Sequence, residues 1–225
     1  MEIKPIANIK TDFSSKFGIP RQSGLIDELE AKIIFAPEFR DKNAIRGMED
    51  FSHLWLIWHF SEADGAEWSP TVRPPRLGGN ERVGVFATRS PYRPNRLGLS
   101  SVRLLRIDMN DNDGPVIYVS GADLLDGTPI FDIKPYVPIS DIHKDAIGGF
   151  SDEHANDSLE VDFPAELQKL VPAEKLKPLV KILRSDPRPA YHTDPERIYG
   201  FPFAGLEIKF SVGNNILHVI EIKKI

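Results

Sequence analysis

The sequence predicts a small antiparallel β-barrel followed by a small α+β unit, a mostly β fold, and three observations predict it. Short runs rich in β-branched and aromatic residues recur through the first two thirds of the chain, separated by Gly, Pro, Asn and Asp. No long amphipathic helices alternate with these runs, which argues against a doubly wound α/β sheet. After about His143 the pattern changes to apolar residues at helical spacing and then to a hairpin signal. Closing the short strands into a barrel removes their exposed edges.

In chain order, the candidate strands are Glu2–Ile9, Ala31–Phe35, His53–Phe60, Arg82–Thr88, Ser101–Asp108 and Val116–Ala122. Asn110-Asp111-Asn112-Asp113-Gly114 is a hairpin loop between the last two. The polar, acidic stretch from His143 to Ser158 contains Gly148-Gly149 and reads as a linker. The chain therefore divides into a barrel over 1–145, a linker over 146–159 and a C-terminal unit over 160–225. In that unit, Ala165–Val171 and Leu176–Leu183 carry helical spacing, with Pro178 limiting the second helix unless it falls in the first turn. Leu206, Ile208, Phe210 and Val212 then alternate ahead of Gly213-Asn214-Asn215 and a strand over Ile216–Ile222.

At 225 residues the chain can bury one substantial core and a small second one. It has no cysteine, which excludes disulfides, thiolate metal sites and a cysteine nucleophile, and fits a reducing cytoplasm. The N-terminus MEIKPIANIKTDF has no apolar core of signal-peptide length. The longest apolar stretch, Leu54–Phe60, is too short to span a bilayer. The histidines (53, 59, 143, 154, 192 and 218) are dispersed and form no HExxH pair, so no metal site is expected. A G-x-S-x-G elbow and a G-x-G-x-x-G cofactor fingerprint are both missing.

Charge is unevenly distributed. Between Arg73 and Arg106 stand eight arginines, no lysine and one acid, Glu81, so this segment holds seven net positive charges in a chain of net charge −5. Arginine suits sites that grip a phosphate or carboxylate, or that stack on a base. The plain alternative is a solvated basic face. Within the segment, Arg89-Ser90-Pro91-Tyr92-Arg93-Pro94-Asn95-Arg96-Leu97-Gly98 is stiffened by two prolines, with Gly98 permitting a turn. Arg73-Pro74-Pro75-Arg76-Leu77-Gly78-Gly79-Asn80 resembles it but lacks P-loop spacing and reads more simply as a turn. Asp123–Tyr136 contains three carboxylates, a lysine and a tyrosine. Its Asp126-Gly127-Thr128-Pro129 is a turn that Asp126 would cap.

Taken together, these segments resemble the TrmO family of tRNA methyltransferases, also called TsaA-like. The resemblance is carried by Phe17-Gly-Ile-Pro-Arg-Gln22, Phe51-Ser-His-Leu-Trp-Leu56, Arg73–Asn80, Gly84–Ser90, Arg93-Pro-Asn95 with Gly98, and Asp126–Tyr136. Ser185-Asp-Pro-Arg-Pro-Ala-Tyr191 resembles the C-terminal signature. The resemblance implies a non-Rossmann barrel that binds S-adenosylmethionine, a homodimer with the cofactor site near its interface, and cytoplasmic action on the anticodon loop of a threonine tRNA. The reaction implied is methylation of N6 of N6-threonylcarbamoyladenosine at position 37. Cofactor contacts would fall on Pro20, Arg21 and Gln22, on Arg89, near Leu99, and on Val119, Ser120, Gly121 and Ala122. Ser61 and Glu62 complete the implied cofactor contacts, at the place where the family often has His-Gln, and Arg96 stands where a proline is common.

The acceptor nitrogen carries a proton, so a base is one requirement, unless the proton leaves to water. Asp126, Asp132 and Tyr136 are the candidates. Substrate contacts are expected from Arg73, Arg76, Tyr92, Arg93, Asn95 and Lys134, with tyrosine stacking on splayed bases. Three rival readings share these residues: a non-catalytic RNA-binding barrel, a nucleotide-hydrolysing or nucleotide-sensing protein, and a methyltransferase with a small acceptor. Donor binding separates the first from the enzyme. The second has Gly78-Gly79-Asn80 but no Walker lysine.

Overall fold

The computed structural model describes residues 2–74, 77, 81–153, 157–188, 194 and 196–225. Arg76, the Gly78-Gly79-Asn80 turn and Pro189–Tyr191 of the C-terminal signature lie outside the described residues.

The first unit is a closed barrel. Its strands are β1 (Ala7–Lys10), β2 (Glu30–Phe35), β3 (His53–His59), β6 (Leu97–Asp108), β7 (Val116–Ser120) and β8 (Pro129–Pro135). They run in the order β1-β2-β7-β6-β3-β8, and β8 pairs back onto β1. Every neighbouring pair is antiparallel. A small ribbon of β4 (Thr71–Val72) and β5 (Val83–Gly84) stands apart.

Alternation fixes which face is inside. In β3, Leu54, Leu56 and Trp58 are buried in the barrel while Trp55 and Ile57 are half-buried outside. Bulges at Ile57/Trp58 and Leu104/Arg106 add the local bend that closure requires. β7 is buried on both faces, and its outer Tyr118 ring lies under the Arg106 guanidinium at 3.6 Å. Arg106 is held in turn by Glu30. Gly98 is explained by packing rather than by a turn. It pairs with Trp58 across β3 and β6, and a Cβ there would overlap the indole.

The C-terminal unit is a sheet of β10 (Tyr199–Phe203), β11 (Leu206–Gly213), β12 (Ile216–Lys224) and β9 (Glu160–Asp162), with β9 parallel to β12. Two single turns, α1 (Pro138–Asp141) and α2 (Phe150–Glu153), precede it, and its own helices are α3 (Ala165–Gln168) and α4 (Ala173–Arg184). Leu179, Ile182 and Leu183 bury one face of α4. The core of this unit is not made of C-terminal residues alone. Phe13, Ile26 and Leu29, from the segment between β1 and β2, are part of it.

Several elements differ from expectation, each for a physical reason. Of Arg82–Thr88 only Val83–Gly84 is a strand, β5: after Gly84 the chain turns through a 3-10 turn that buries Val85 and leaves Phe86 outside. β8 and β10 are not among the expected strands, and both carry prolines. Pro129 and Pro135 are the first and last residues of β8, and Pro202 lies on the edge strand β10, where a missing N–H costs no interior pairing. Helix α4 begins three residues before the expected start and carries Pro178 in its interior, buried against the sheet. Among the described residues, no helix is long and apolar enough to cross a membrane.

Candidate functional site

β1, β3 and β7 finish at one end of the barrel, and β2, β6 and β8 begin there. The register fixes this: His59 pairs with Leu97, Glu30 with Ser120, and Asn8 with Pro129. Pro20–Gln22, Ser61-Glu62, Arg89, Leu99 and Val119–Ala122 all lie on segments that enter or leave strands at this mouth.

The segment between β1 and β2 crosses the mouth and is fixed on both sides. On the barrel side, the Gly24 N–H donates to the Gly121 carbonyl at 2.8 Å. Gly121 has φ 77°, and a Cβ there would stand 3.2 Å from the Gly24 backbone, so glycine is required by conformation and by space. On the other side, Arg21 donates to the Asp186 carbonyl at 2.6 Å. Phe17 packs on Phe201 with ring centroids 6.2 Å apart, and Phe13 lies 5.8 Å from Phe203. Lys175 pairs with Asp12, and Lys177 and Lys181 grip Glu28 at 2.8 and 2.7 Å. Burial works to raise the Glu28 pKa, but the hydrogen bonds from both lysines outweigh it and hold the carboxyl at about 2.

Within the mouth, Arg89 donates to the Gln22 amide oxygen, and the Gln22 amide donates to the Arg21 carbonyl at 2.6 Å. Beneath them lies a group the sequence reading did not single out, Asp123. The Trp58 indole donates to Ser100 Oγ at 2.9 Å, and Ser100 Oγ donates to Asp123 at 2.6 Å. Burial pushes the Asp123 carboxyl above the usual carboxylate range, against the Ser100 hydrogen bond and the charge of Arg89. The available signal was Ser100, a hydroxyl on the inward phase of a strand whose other inward neighbours are Gly98 and Val102.

The remaining expected residues are spread out. Leu99 is 54% exposed on the outer face of β6. Ser61-Glu62 sit in a 3-10 turn after β3, Ser61 half-buried and Glu62 exposed. Asp126 is at the mouth, where it accepts the Thr11 N–H at 3.0 Å and Lys10 at 3.3 Å. Asp132 lies on the outer face opposite Ile57 and pairs with Lys134 at 2.9 Å. Tyr136 stacks on Trp55 at 5.4 Å and bonds through its N–H to the His53 carbonyl, at the opposite end of β3. The three candidate bases are therefore not assembled together within one chain.

The arginine loop is built from local hydrogen bonds. Thr88 Oγ1 donates to the Val85 carbonyl at 2.9 Å and accepts the Ser90 N–H at 3.2 Å. Arg93 donates to the Thr88 carbonyl at 2.9 Å and lies over the Phe86 ring at 5.8 Å. Tyr92 and Asn95 are exposed, as is Arg73 at the far side of the ribbon. Among the described residues no three His, Cys, Asp or Glu side chains cluster as metal ligands would.

Comparison with known proteins finds relatives along both units of the chain. Residues 8–142 match the tRNA-methyltransferase O N-terminal domain, and residues 156–225 match the TrmO C-terminal domain. The chain belongs to the TrmO family. The tRNA (adenine(37)-N6)-methyltransferase of Escherichia coli is 39% identical over 201 residues, covering 87% of this chain and 85% of that protein. The protein of the same name from Eikenella corrodens is 45% identical over 164 residues, 72% of this chain and 91% of its own length. The crystal structure of TrmO from Pseudomonas aeruginosa superposes with a TM-score of 0.77 at 29% identity, covering 99% of this chain and 98% of that one. As a TrmO-family barrel, the chain presents its glycine-mediated close approach, Arg89 and Asp123 at a single mouth.

Proposed function

We propose that this chain is an S-adenosylmethionine-dependent tRNA methyltransferase that acts on N6 of the adenine at position 37, in the form of N6-threonylcarbamoyladenosine in a threonine tRNA. Membership of the TrmO family supports the reaction class, since its relatives carry the name tRNA (adenine(37)-N6)-methyltransferase. The observation that carries the reading here is the convergence of Gln22, Arg89, Gly121 and Asp123 at one barrel mouth.

The residues present fit the donor chemically. A guanidinium at Arg89 suits its carboxylate. A buried carboxylate at Asp123 suits its cationic centre. Peptide groups of Pro20–Gln22 and Val119–Ala122 suit its adenine edge and amino acid end. When bound, the donor supplies an electrophilic methyl group on a sulfonium; the chain contributes alignment and exclusion of water. Asp126 is the candidate base on the mouth side and receives the N6 proton; Asp132, on the outer face and paired with Lys134, and Tyr136, at the opposite end of β3, lie away from it. Arg73, Arg93, Asn95, Lys134 and the Tyr92 ring contact the anticodon loop, the cations holding phosphates and the threonine carboxylate. A homodimer covers the exposed Leu97 and Leu99 beside the mouth, and the cytoplasm is where such a tRNA is met.

The test is transfer of labelled methyl from S-adenosylmethionine to threonine tRNA with and without its threonylcarbamoyl group. Label is expected only in the modified tRNA. Label in neither tRNA, with the donor bound, removes this acceptor; absence of donor binding favours the RNA-binding reading instead.

A further inference from the structure

Beside the mouth, residues 66–68 and the second half of the arginine loop enclose a cleft of about 450 Å³ lined by Ala66, Glu67, Trp68, Arg93, Pro94 and Arg96. Its size is that of a small-ligand site, roughly 300–1,000 Å³. Both walls are fixed to each other. The Ser69 N–H donates to the Tyr92 carbonyl at 3.2 Å, and Arg96 donates to the Ala66 carbonyl. The loop is also tied to the barrel, because the Phe60 N–H donates to the Arg96 carbonyl at 2.9 Å.

Three features of the cleft point to an occupant. The Trp68 side chain is 52% exposed, a large aromatic left facing solvent. Arg96 lines the cleft with a guanidinium that the chain leaves under-satisfied, since its buried Nε has no hydrogen-bond partner among the described residues. Exposed aromatics also alternate with arginines along the adjoining chain: Phe86 is 74% and Tyr92 48% exposed, with Arg89, Arg93 and Arg96 between and after them. Aromatic faces interleaved with guanidinium groups recognise unstacked bases on a phosphate backbone.

We propose that this cleft is a subsite for one unstacked nucleotide of the RNA substrate, with its base lying on Trp68 and its phosphate held by Arg93 and Arg96. The inference rests on the tRNA reading above and adds the place where a nucleotide outside the reacting one is held. Glu67 accepts a hydrogen bond from a base amino group or a ribose hydroxyl. Such a subsite favours single-stranded loops over paired RNA, since a base inside a duplex cannot reach the indole.

The experiment measures affinity of the full chain for an anticodon stem-loop RNA and for a fully paired RNA of equal length, over a range of salt. Trp68→Ala is expected to weaken stem-loop binding about tenfold, and Trp68→Phe to keep most of the affinity. Arg96→Gln is expected to lower the salt slope by about one. Paired RNA is expected to bind more weakly than the stem-loop and to show no dependence on Trp68. Thermal unfolding and donor binding of each variant verify that the barrel is intact. Unchanged stem-loop affinity in Trp68→Ala, with the wild type still binding and methylating tRNA, overturns the subsite and leaves the tRNA reading standing. An equal loss on paired RNA overturns base stacking in the cleft. A wild type that binds no RNA overturns both.

Discussion

Two segments frame the barrel mouth, and they are held in opposite ways. The stretch from Thr11 to Glu30 is embedded: Phe13, Ile26 and Leu29 belong to the C-terminal core, and Asp12 and Glu28 are gripped by lysines of α4. The arginine loop from Thr88 to Arg96 is held at the surface by its own backbone and hydroxyls and by bonds to Phe60, Ala66 and Ser69, and Tyr92, like Phe86 just before the loop, faces solvent. The two meet at the bond between Arg89 and Gln22. The embedded side presents a fixed surface, as the proposed donor contacts need. The exposed side offers cations and rings that a larger, flexible partner can reach. The C-terminal unit holds the segment that carries Pro20–Gln22, so under the proposed donor assignment it acts on the barrel mouth from outside the barrel.

Mutations can break or sharpen this contrast. The largest stability effect is expected from Phe201→Ala, which empties the position against Phe17 and Phe210. Chemical denaturation should show a loss of about 3–5 kcal/mol. Donor affinity should fall with it, although Phe201 is in the C-terminal sheet; unchanged donor affinity in the folded variant would separate the embedded segment from the site. Glu28→Gln is expected to cost about 1 kcal/mol at neutral pH, after allowance for solvent screening of the lysines. The Glu28 pKa is depressed, so its contribution is full above the ordinary 4.5 and disappears as pH falls to about 2. Wild type and Glu28→Gln should therefore converge in stability below that window, and a constant gap at all pH values would contradict the pairing.

Asp123→Asn should act in the other direction. The Asp123 pKa is raised, so its ionised form penalises the folded state once the pH exceeds the unfolded value near 3.8. The variant should be slightly more stable at neutral pH, the advantage closing in acid, while donor affinity falls. The smallest stability change belongs to Arg93→Ala, within about 0.5 kcal/mol. Methylation of tRNA should nevertheless be lost while donor binding survives. If that variant keeps its activity, the arginine loop is not the RNA-facing side.

Much of the fold was legible because alternation is local. The expected strands over Ala31–Phe35, His53–Phe60, Ser101–Asp108 and Val116–Ala122 overlap β2, β3, β6 and β7, whose inward residues repeat every second position. What was hidden depended on partners. β8 and β10 contain prolines that are harmless only at strand ends or on an outer edge, and position in a sheet is not written in a strand's own residues. Asp123 becomes buried only when β3 and β6 bring Trp58 and Ser100 over it. The embedding of Thr11–Glu30 was hidden most deeply, because its contacts to Lys175 and Asp186 are 163 and 165 residues away in sequence.

That separation has a consequence for synthesis of the protein. The barrel strands are complete once Pro135 has been made, but Phe201, Phe203 and Ile222, which close over Phe13 and Ile26, are made 66 to 87 residues later. At translation rates of about 5–20 residues per second, a closed barrel can precede its finished mouth by several seconds. During that interval Phe13, Phe17 and Ile26 have no C-terminal core to enter. A nascent chain should thus gain affinity for the donor only after β12 has emerged, which makes donor binding a readout of a finished C-terminal core.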